Sequence, residues 1–319
     1  MLTNPVRNSD EVSLPTSPGA PTVYLITETV TDPDIHALEE TSIKALGVDP
    51  CAIENLPVGP CLNEADPARI LKFLRDAYNA RGAFIIGHAA SFFDELPGAY
   101  EHQDAASELL GEVGVIQRVP GALNALAPRL TAAISAANRV LPAKTTEVLI
   151  FGAGPDARAL AAALAGEMCN AQPVKVTLAS SDAAGLNVAR KLLGQDIPQH
   201  RLELRHVESS SEHDRQLALL PPDSAVVRAV GEREPDTSLA GSAALFPMGA
   251  VIWDMMASAN DSRFLASAVR QRKAAQLTLS DQTAYAAERG IAELEAMFGQ
   301  EASAAKQAKL HKAIESRKT

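Results

Sequence analysis

The residues whose spacing says most about chemistry are Gly152-Ala153-Gly154-Pro155-Asp156-Ala157, a Gly-x-Gly-x-x-Ala turn. It directly follows the apolar run Val148-Leu149-Ile150-Phe151 and opens an Ala-rich helical stretch. In that context the turn is suited to a dinucleotide's pyrophosphate. Gly152 permits a tight turn, Gly154 lacks the Cβ that would keep phosphate off the backbone, and Ala157 lets helix and strand pack closely. The helix N-terminus adds unpaired amides and the positive end of its dipole. A glycine turn kept for packing alone is the competing reading. NAD and NADP are told apart at the end of the next strand, where a carboxylate holds ribose hydroxyls and an Arg holds a 2′-phosphate. Here Leu178-Ala179-Ser180-Ser181-Asp182 offers the Ser180 and Ser181 hydroxyls and no Arg. Asp182 could hold the ribose or cap the following helix, and the balance favours NAD over NADP.

Two further side chains could take part in acid–base work. His88 ends the strand-like run Ala83-Phe84-Ile85-Ile86-Gly87, and its ordinary pKa of about 6.5 suits a proton donor at a reacting carbonyl. A histidine satisfied by a backbone carbonyl is the alternative. Glu112 stands at the start of another strand-like run, Val113-Gly114-Val115-Ile116, where a desolvated carboxylate would act as a base or bind an amine. A solvated edge residue is equally compatible. The remaining histidines and the three cysteines, Cys51, Cys61 and Cys169, show no metal-ligand or CxxC spacing, so neither a metal nor a disulfide framework is expected.

These residues need an α/β scaffold. Residues 1–20 are rich in Pro, Ser, Asn and Thr without periodicity and read as a mobile arm. Strand-like Val23-Tyr24-Leu25-Ile26 follows, then helices at Ile35 to Leu46 and about Pro67 to Ala80, with Asp66 or Asn63 as the cap of the latter. Pro120-Gly121 supplies a turn, and Thr131 to Leu141 reads as a linking helix. Beyond it, Val148 to Phe151, Val174 to Leu178, Ala225 to Val227 and Ala250 to Trp253 read as strands. The helices between the first three, at about Asp156 to Met168 and Asp182 to Leu193, imply a parallel sheet with right-handed crossovers. The expected organisation is a substrate domain over 21–126, a linking helix over 127–145 and a Rossmann dinucleotide-binding domain over 146–260, since 319 residues exceed one ordinary core. A net charge of −10 argues against nucleic acid as partner, and no apolar run reaches membrane-spanning length. A cytoplasmic protein with a small-molecule substrate, and a homodimer as a possible assembly, is the expectation.

The same residues resemble the shikimate and quinate dehydrogenases over about Val23 to Phe298. Arg81-Gly82-Ala83-Phe84-Ile85-Ile86-Gly87-His88 is similar to that family's substrate-side strand, Gly111-Glu112-Val113-Gly114 to its Gly-Ala-Val-Asn segment, and Phe151 to Leu160 to its glycine turn. Ala243 to Asp254 resembles the strand closing the cofactor site, and Phe264 to Phe298 the terminal helices, so residues 261–319 are expected to return to the first domain. The resemblance implies an NAD(P)-dependent oxidoreductase, with Gly231 and Asp254 added to the cofactor site. The chemistry departs from the pattern. Ala89 stands where the catalytic lysine is expected, and Leu126 to Thr131 lacks its aspartate partner. Arg228-Ala229-Val230-Gly231 replaces an Asn-Ala-Thr-Gly segment, and Thr31 to Asp34 lacks the substrate-holding serines. Arg129 and Arg228, at neutral or acidic family positions, could clamp a substrate carboxylate. The expectation is therefore an oxidoreductase for a small polar metabolite other than shikimate or quinate. The alternative is a catalytically inactive dinucleotide- or metabolite-binding relative, acting as a sensor or partner subunit.

Overall fold

The computed structural model describes residue 14 and residues 20–27, 51–58, 66–86, 89–94, 98–230, 245–256 and 262–315. The helix expected over Ile35 to Leu46, most of the N-terminal arm, His88 and Gly231 lie outside these residues. The chain forms two compact units, Met1–Ala127 with Glu293–Lys306, and Pro128–Ala292 with Gln307–Thr319. Both are α/β.

The first unit is built on β1 (Thr22–Thr27), β2 (Ala52–Pro57), α1 (Asp66–Asp76), β3 (Ala80–Ile85), α2 (Ser91–Asp94), β4 (His102–Gln103), α3 (Ala105–Leu110), β5 (Val115–Val119) and β6 (Ala122–Leu126). Its sheet runs β2-β1-β3-β5-β6-β4. β1 lies between parallel β2 and β3, which is why its whole Thr-Val-Tyr-Leu-Ile-Thr run is buried. Alternation splits it between two cores: Tyr24 and Ile26 join Ile70, Leu74 and Phe92, while Val23 and Leu25 face Leu294 and Met297. β5 and β6 pair antiparallel up to Val119 opposite Ala122. Pro120 and Gly121 form the connection, with Gly121 at φ 81°, as a Pro-Gly turn requires. The strand expected from Val113 begins instead at Val115. After the left-handed cap Gly111, the amides of Glu112 and Val113 bond to Ser107 and Ala89 rather than to a strand.

The second unit comprises α4 (Arg129–Val140), β7 (Glu147–Phe151), α5 (Pro155–Ala165), β8 (Lys175–Ser180), α6 (Ala183–Leu193), β9 (Leu202–His206), α7 (Ser210–Ala218), β10 (Ala225–Arg228), β11 (Val251–Asp254), α8 (Arg263–Gln271) and β12 (Thr278–Ser280). Its sheet, β12-β11-β10-β7-β8-β9, is parallel at every pairing. This is the doubly wound arrangement of a Rossmann fold, with β7 central and the glycine turn at its C-terminal end. Residues 261–319, expected to return together to the first domain, divide between the units. Phe264, Leu265 and Ala268 of α8 are buried with Phe151, Phe246 and Ile252 of the second, whereas α9 (Thr283–Phe298) passes from the second unit to the first at Glu293. Helix α10 (Ala304–Glu315) closes the described chain.

Within β3, Gly82 has φ 144°, and a Cβ there would lie 2.1 Å from the Ile116 carbonyl oxygen. The two strands approach too closely for any side chain. Gly82→Ala should therefore lower unfolding free energy by about 3 kcal/mol, the strained φ and the backbone clash acting together. Chemical denaturation followed by circular dichroism checks this, and stability within 0.5 kcal/mol of wild type, about the scatter of neutral surface changes, would contradict it.

Candidate active site

In the second unit the main chain builds the glycine turn. Gly152 has φ 120°, donates its N–H to Ala179 of β8 at 2.9 Å, and passes so near Ala229 that a Cβ would sit 2.5 Å from its carbonyl oxygen. Ala229 in turn donates to Phe151 at 2.8 Å. Three strand ends are thus laced together beneath the turn. Gly154 differs: a Cβ there would meet nothing within 4 Å. No packing contact demands glycine at this position. Gly154 is the N-cap of α5 without a side-chain cap, and Pro155 opens the helix, so the first-turn amides point outward with no intrahelical acceptor. Ala153 and Ala157 are fully buried, consistent with close helix–strand packing. The residues fit a pyrophosphate in the space over Gly154.

Asp156 has a different setting from the one its place in the turn suggests. Its Oδ1 accepts a 2.5 Å hydrogen bond from the Tyr285 hydroxyl and lies 3.2 Å from Arg129 Nε. Burial alone would push this carboxyl up, but the charges of Arg129 and Arg289, with the Tyr285 hydrogen bond, outweigh it and hold the carboxyl below the usual range. Burial and the neighbouring Asp156 charge push the Tyr285 hydroxyl well above its ordinary value. Arg129 is therefore a counter-ion whose guanidinium is almost wholly buried. Arg228 is likewise paired, its NH1 3.3 Å from Oδ1 of a fully buried Asp254. Asp254 also accepts from the Met256 N–H at 3.0 Å and the Ser262 hydroxyl at 2.6 Å. The two arginines proposed for substrate and two of the carboxylates proposed for cofactor thus compensate one another.

At the end of β8, the Ser180 hydroxyl accepts the Asp182 N–H at 3.0 Å, and Asp182 caps α6 through the Gly185 N–H. Ser181 is exposed, and its carbonyl lies 3.1 Å from Nε2 of His206, a residue to which sequence reasoning gave no role. His206 ends β9, whose Leu202 and Leu204 alternation carries the only signal for that strand. Glu208 lies 3.6 Å from its Nδ1. Tyr285 and Arg289, too, were not foreseen, because nothing in their local pattern points to Asp156.

In the first unit Glu112 is fully buried. The next residue, Val113, donates to the Ala89 carbonyl at 3.0 Å, Gly114 donates to Leu126 at 2.9 Å, and Ile85 donates to Gly114 at 2.8 Å. The segment carrying Glu112 is thereby fixed against the residue that follows His88 and against the start of the stretch in which the resemblance places an aspartate. His88 itself is outside the described residues.

Two domains of this kind, a mixed α/β unit and a parallel Rossmann unit, define the shikimate dehydrogenase-like fold, and the solved structures agree. The chain is similar to quinate dehydrogenase from Corynebacterium glutamicum in complex with NAD (TM-score 0.73, 16% identity, covering 93% of this chain and 99% of that one). It is also similar to shikimate 5-dehydrogenase from Listeria monocytogenes in complex with shikimate and NAD (0.70, 14%, 96% and 99%). The ligand-free 5-ketofructose reductase of Gluconobacter sp. strain CHM43 matches with TM-score 0.68 and 19% identity over 93% and 99% of the two chains. No family model and no curated protein matches the sequence. At these identities the likeness establishes the fold. No helix among the described residues is long and apolar enough to cross a membrane.

The Asp156 network gives a pH-dependent expectation. A carboxyl whose folded pKa is depressed stabilises the fold above its unfolded value, 3.8, and loses that contribution as pH falls through the folded value. Asp156→Asn should destabilise the protein by about 3 kcal/mol at pH 7, because Arg129 and Arg289 lose a buried counter-charge. The difference between variant and wild type should shrink as pH drops below about 4. Urea denaturation at stepped pH measures it, and a difference independent of pH would refute the charge-based account.

Proposed function

We propose that the protein is an NAD-dependent oxidoreductase that interconverts a carbonyl and an alcohol, or an imine and an amine, on a small polar metabolite other than shikimate or quinate. The observation that carries this reading is the empty approach over Gly154 at an uncapped helix N-terminus, beside a Gly152 that packing alone requires. The solved structures with the same fold include proteins described as binding NAD or NADP(H). When bound, the nicotinamide supplies or accepts the hydride. The chain's part is then to hold the pyrophosphate on the amides of the turn, the ribose next to the adenine near Ser180 and Ser181 and the nicotinamide near Gly231, and to move one proton. For reduction, His88 in its protonated form would give that proton to the substrate oxygen or nitrogen. Glu112, buried beside the Ala89 segment, is the second acid–base group, binding an amine or acting as a base.

NAD is favoured by what surrounds Ser181. Glu208 lies 3.6 Å from His206 at this corner, and main-chain hydrogen bonds from the Glu208 and Ser209 N–H groups hold the Glu212 carboxyl below its ordinary value. Two carboxylates there oppose a 2′-phosphate. Arg129 and Arg228, already compensated by Asp156 and Asp254, take no part in the proposed substrate binding.

Titration with NADH and NADPH, followed by nicotinamide fluorescence, tests the cofactor half. NADH should bind more tightly than NADPH, and Gly154→Val should weaken NADH by at least about tenfold, because a branched side chain fills the space over the turn. An unchanged affinity in a folded variant would reduce the turn to a packing element.

The chemical half is tested with a panel of small ketones, imines, polyols and hydroxy acids. Shikimate and quinate should give no turnover above background. On any substrate that does turn over, His88→Ala should lower kcat by about 10² or more, the scale for loss of a general acid or base. Retained activity would remove His88 from the mechanism.

A further inference from the structure

The first unit has a concave feature at the opposite end of β3 from Glu112. A cavity of about 520 Å³ is lined by Pro21 before β1, Tyr78, Asn79 and Arg81 at the start of β3, and Arg118 and Pro120 at the β5–β6 turn. Along β3, Ile85, whose N–H bonds to Gly114, stands four positions beyond Arg81, so the cavity lies about 13 Å away along the strand from the Glu112 segment.

Its lining has three chemical properties. The first is uncompensated positive charge, in a chain of net charge −10. Neither Arg81 nor Arg118 pairs with a carboxylate among the described residues. Arg118 donates only to the main-chain carbonyls of Ala80 and Arg75, at 3.4 and 3.3 Å. Nearby Arg75 is by contrast neutralised by Glu101 at 3.1 Å. The second is a buried acceptor without a donor. Asn79 is 8% exposed, and its Nδ2 is fixed by Ala20 at 2.7 Å and Thr22 at 3.4 Å, which sets the orientation of the amide. Its Oδ1 is buried with no hydrogen-bond partner. Such an orphan is costly unless something donates to it. The third is a large apolar face, the Tyr78 ring, left 70% exposed at the rim.

We infer that this cavity is a binding site for a small ring-bearing anion that also carries an O–H or N–H donor. The guanidinia take the carboxylate or phosphate by charge-assisted hydrogen bonds. Tyr78 covers the ring, and the donor completes Asn79 Oδ1. The assignment stands on the first unit alone and does not depend on the proposed oxidoreductase reading.

Isothermal titration calorimetry on the full chain tests it with 4-hydroxybenzoate, which has ring, anion and donor. Benzoate lacks the donor, and 4-hydroxybenzylamine reverses the charge. The expected result is saturable 4-hydroxybenzoate binding, weaker binding of benzoate and none of the amine. Arg81→Glu and Tyr78→Ala, both at exposed positions, should each weaken 4-hydroxybenzoate by about tenfold or more while leaving the NADH titration and the thermal midpoint at wild-type values. No saturable binding up to ~10 mM, well beyond the weakest useful site, would overturn the proposal. So would an Arg81→Glu affinity equal to wild type, which would place the ligand elsewhere. Benzoate binding as tightly as 4-hydroxybenzoate would overturn the role given to Asn79.

Discussion

At the C-terminal edge of the parallel sheet, the main chain of Gly152 and the carbonyl of Ala229 share a space that leaves no room for a Cβ. β7 and β10 end level there, at Phe151 and Arg228, with Gly152 bonded to Ala179 on one side and Ala229 bonded to Phe151 on the other. The turn is consequently set by backbone contacts and not by side chains, which is why α5 can begin uncapped. It also separates two roles that a glycine pattern confounds. Gly152 is required by folding. Gly154 meets nothing, so folding places no such demand on it.

The electrostatics of the turn follow from Asp156. Pro155 removes one amide that could face a phosphate, and a carboxylate in the first helical turn places negative charge where a pyrophosphate would sit. At a separation of about 5 Å and an effective dielectric near 20, one such repulsion is worth about 3 kcal/mol, enough to abolish useful affinity. Arg129 and Arg289 reverse the balance, because two cations act on a single carboxylate. The same cluster fastens three helices of the second unit, α4 through Arg129, α5 through Asp156 and α9 through Tyr285. A departure in the turn and the buried ion network are thus one feature.

Most strands of the Rossmann unit were legible because central parallel strands are buried on both faces and read as unbroken apolar runs, as Val148 to Phe151 does. The outer strands were harder. Ala52–Pro57 is interrupted by Glu54 and Asn55 at the sheet's edge and buries only Leu56, and Leu202–His206 buries no residue completely, so neither produces a continuous apolar signal. The helix at Ser210–Ala218 announced itself only by a capping box, Ser209 with Glu212. At the site, the turn and the dual possibility for Asp182 could be read, and the structure uses Asp182 as a cap. The pairings of Arg129 with Asp156 and Arg228 with Asp254 could not be read. Each joins the ends of different elements, and sheet order and register, which one sequence does not encode locally, decide which ends meet.

The departures from the dehydrogenase pattern acquire a direction from the first unit. The main chain still brings Ala89, the Glu112 segment and Leu126 to one place through the bonds at Val113 and Gly114, so the scaffold that would hold a lysine and an aspartate is intact while both side chains have gone. A protein drifting toward mere packing would fill that place with apolar groups, since a buried carboxylate costs several kcal/mol unless charge or hydrogen bonds compensate it. Glu112 is instead fully buried there. Glu112 stands at the alanine of the Gly-Ala-Val-Asn segment, so this chain adds a buried and partnered carboxylate next to the residue that follows His88.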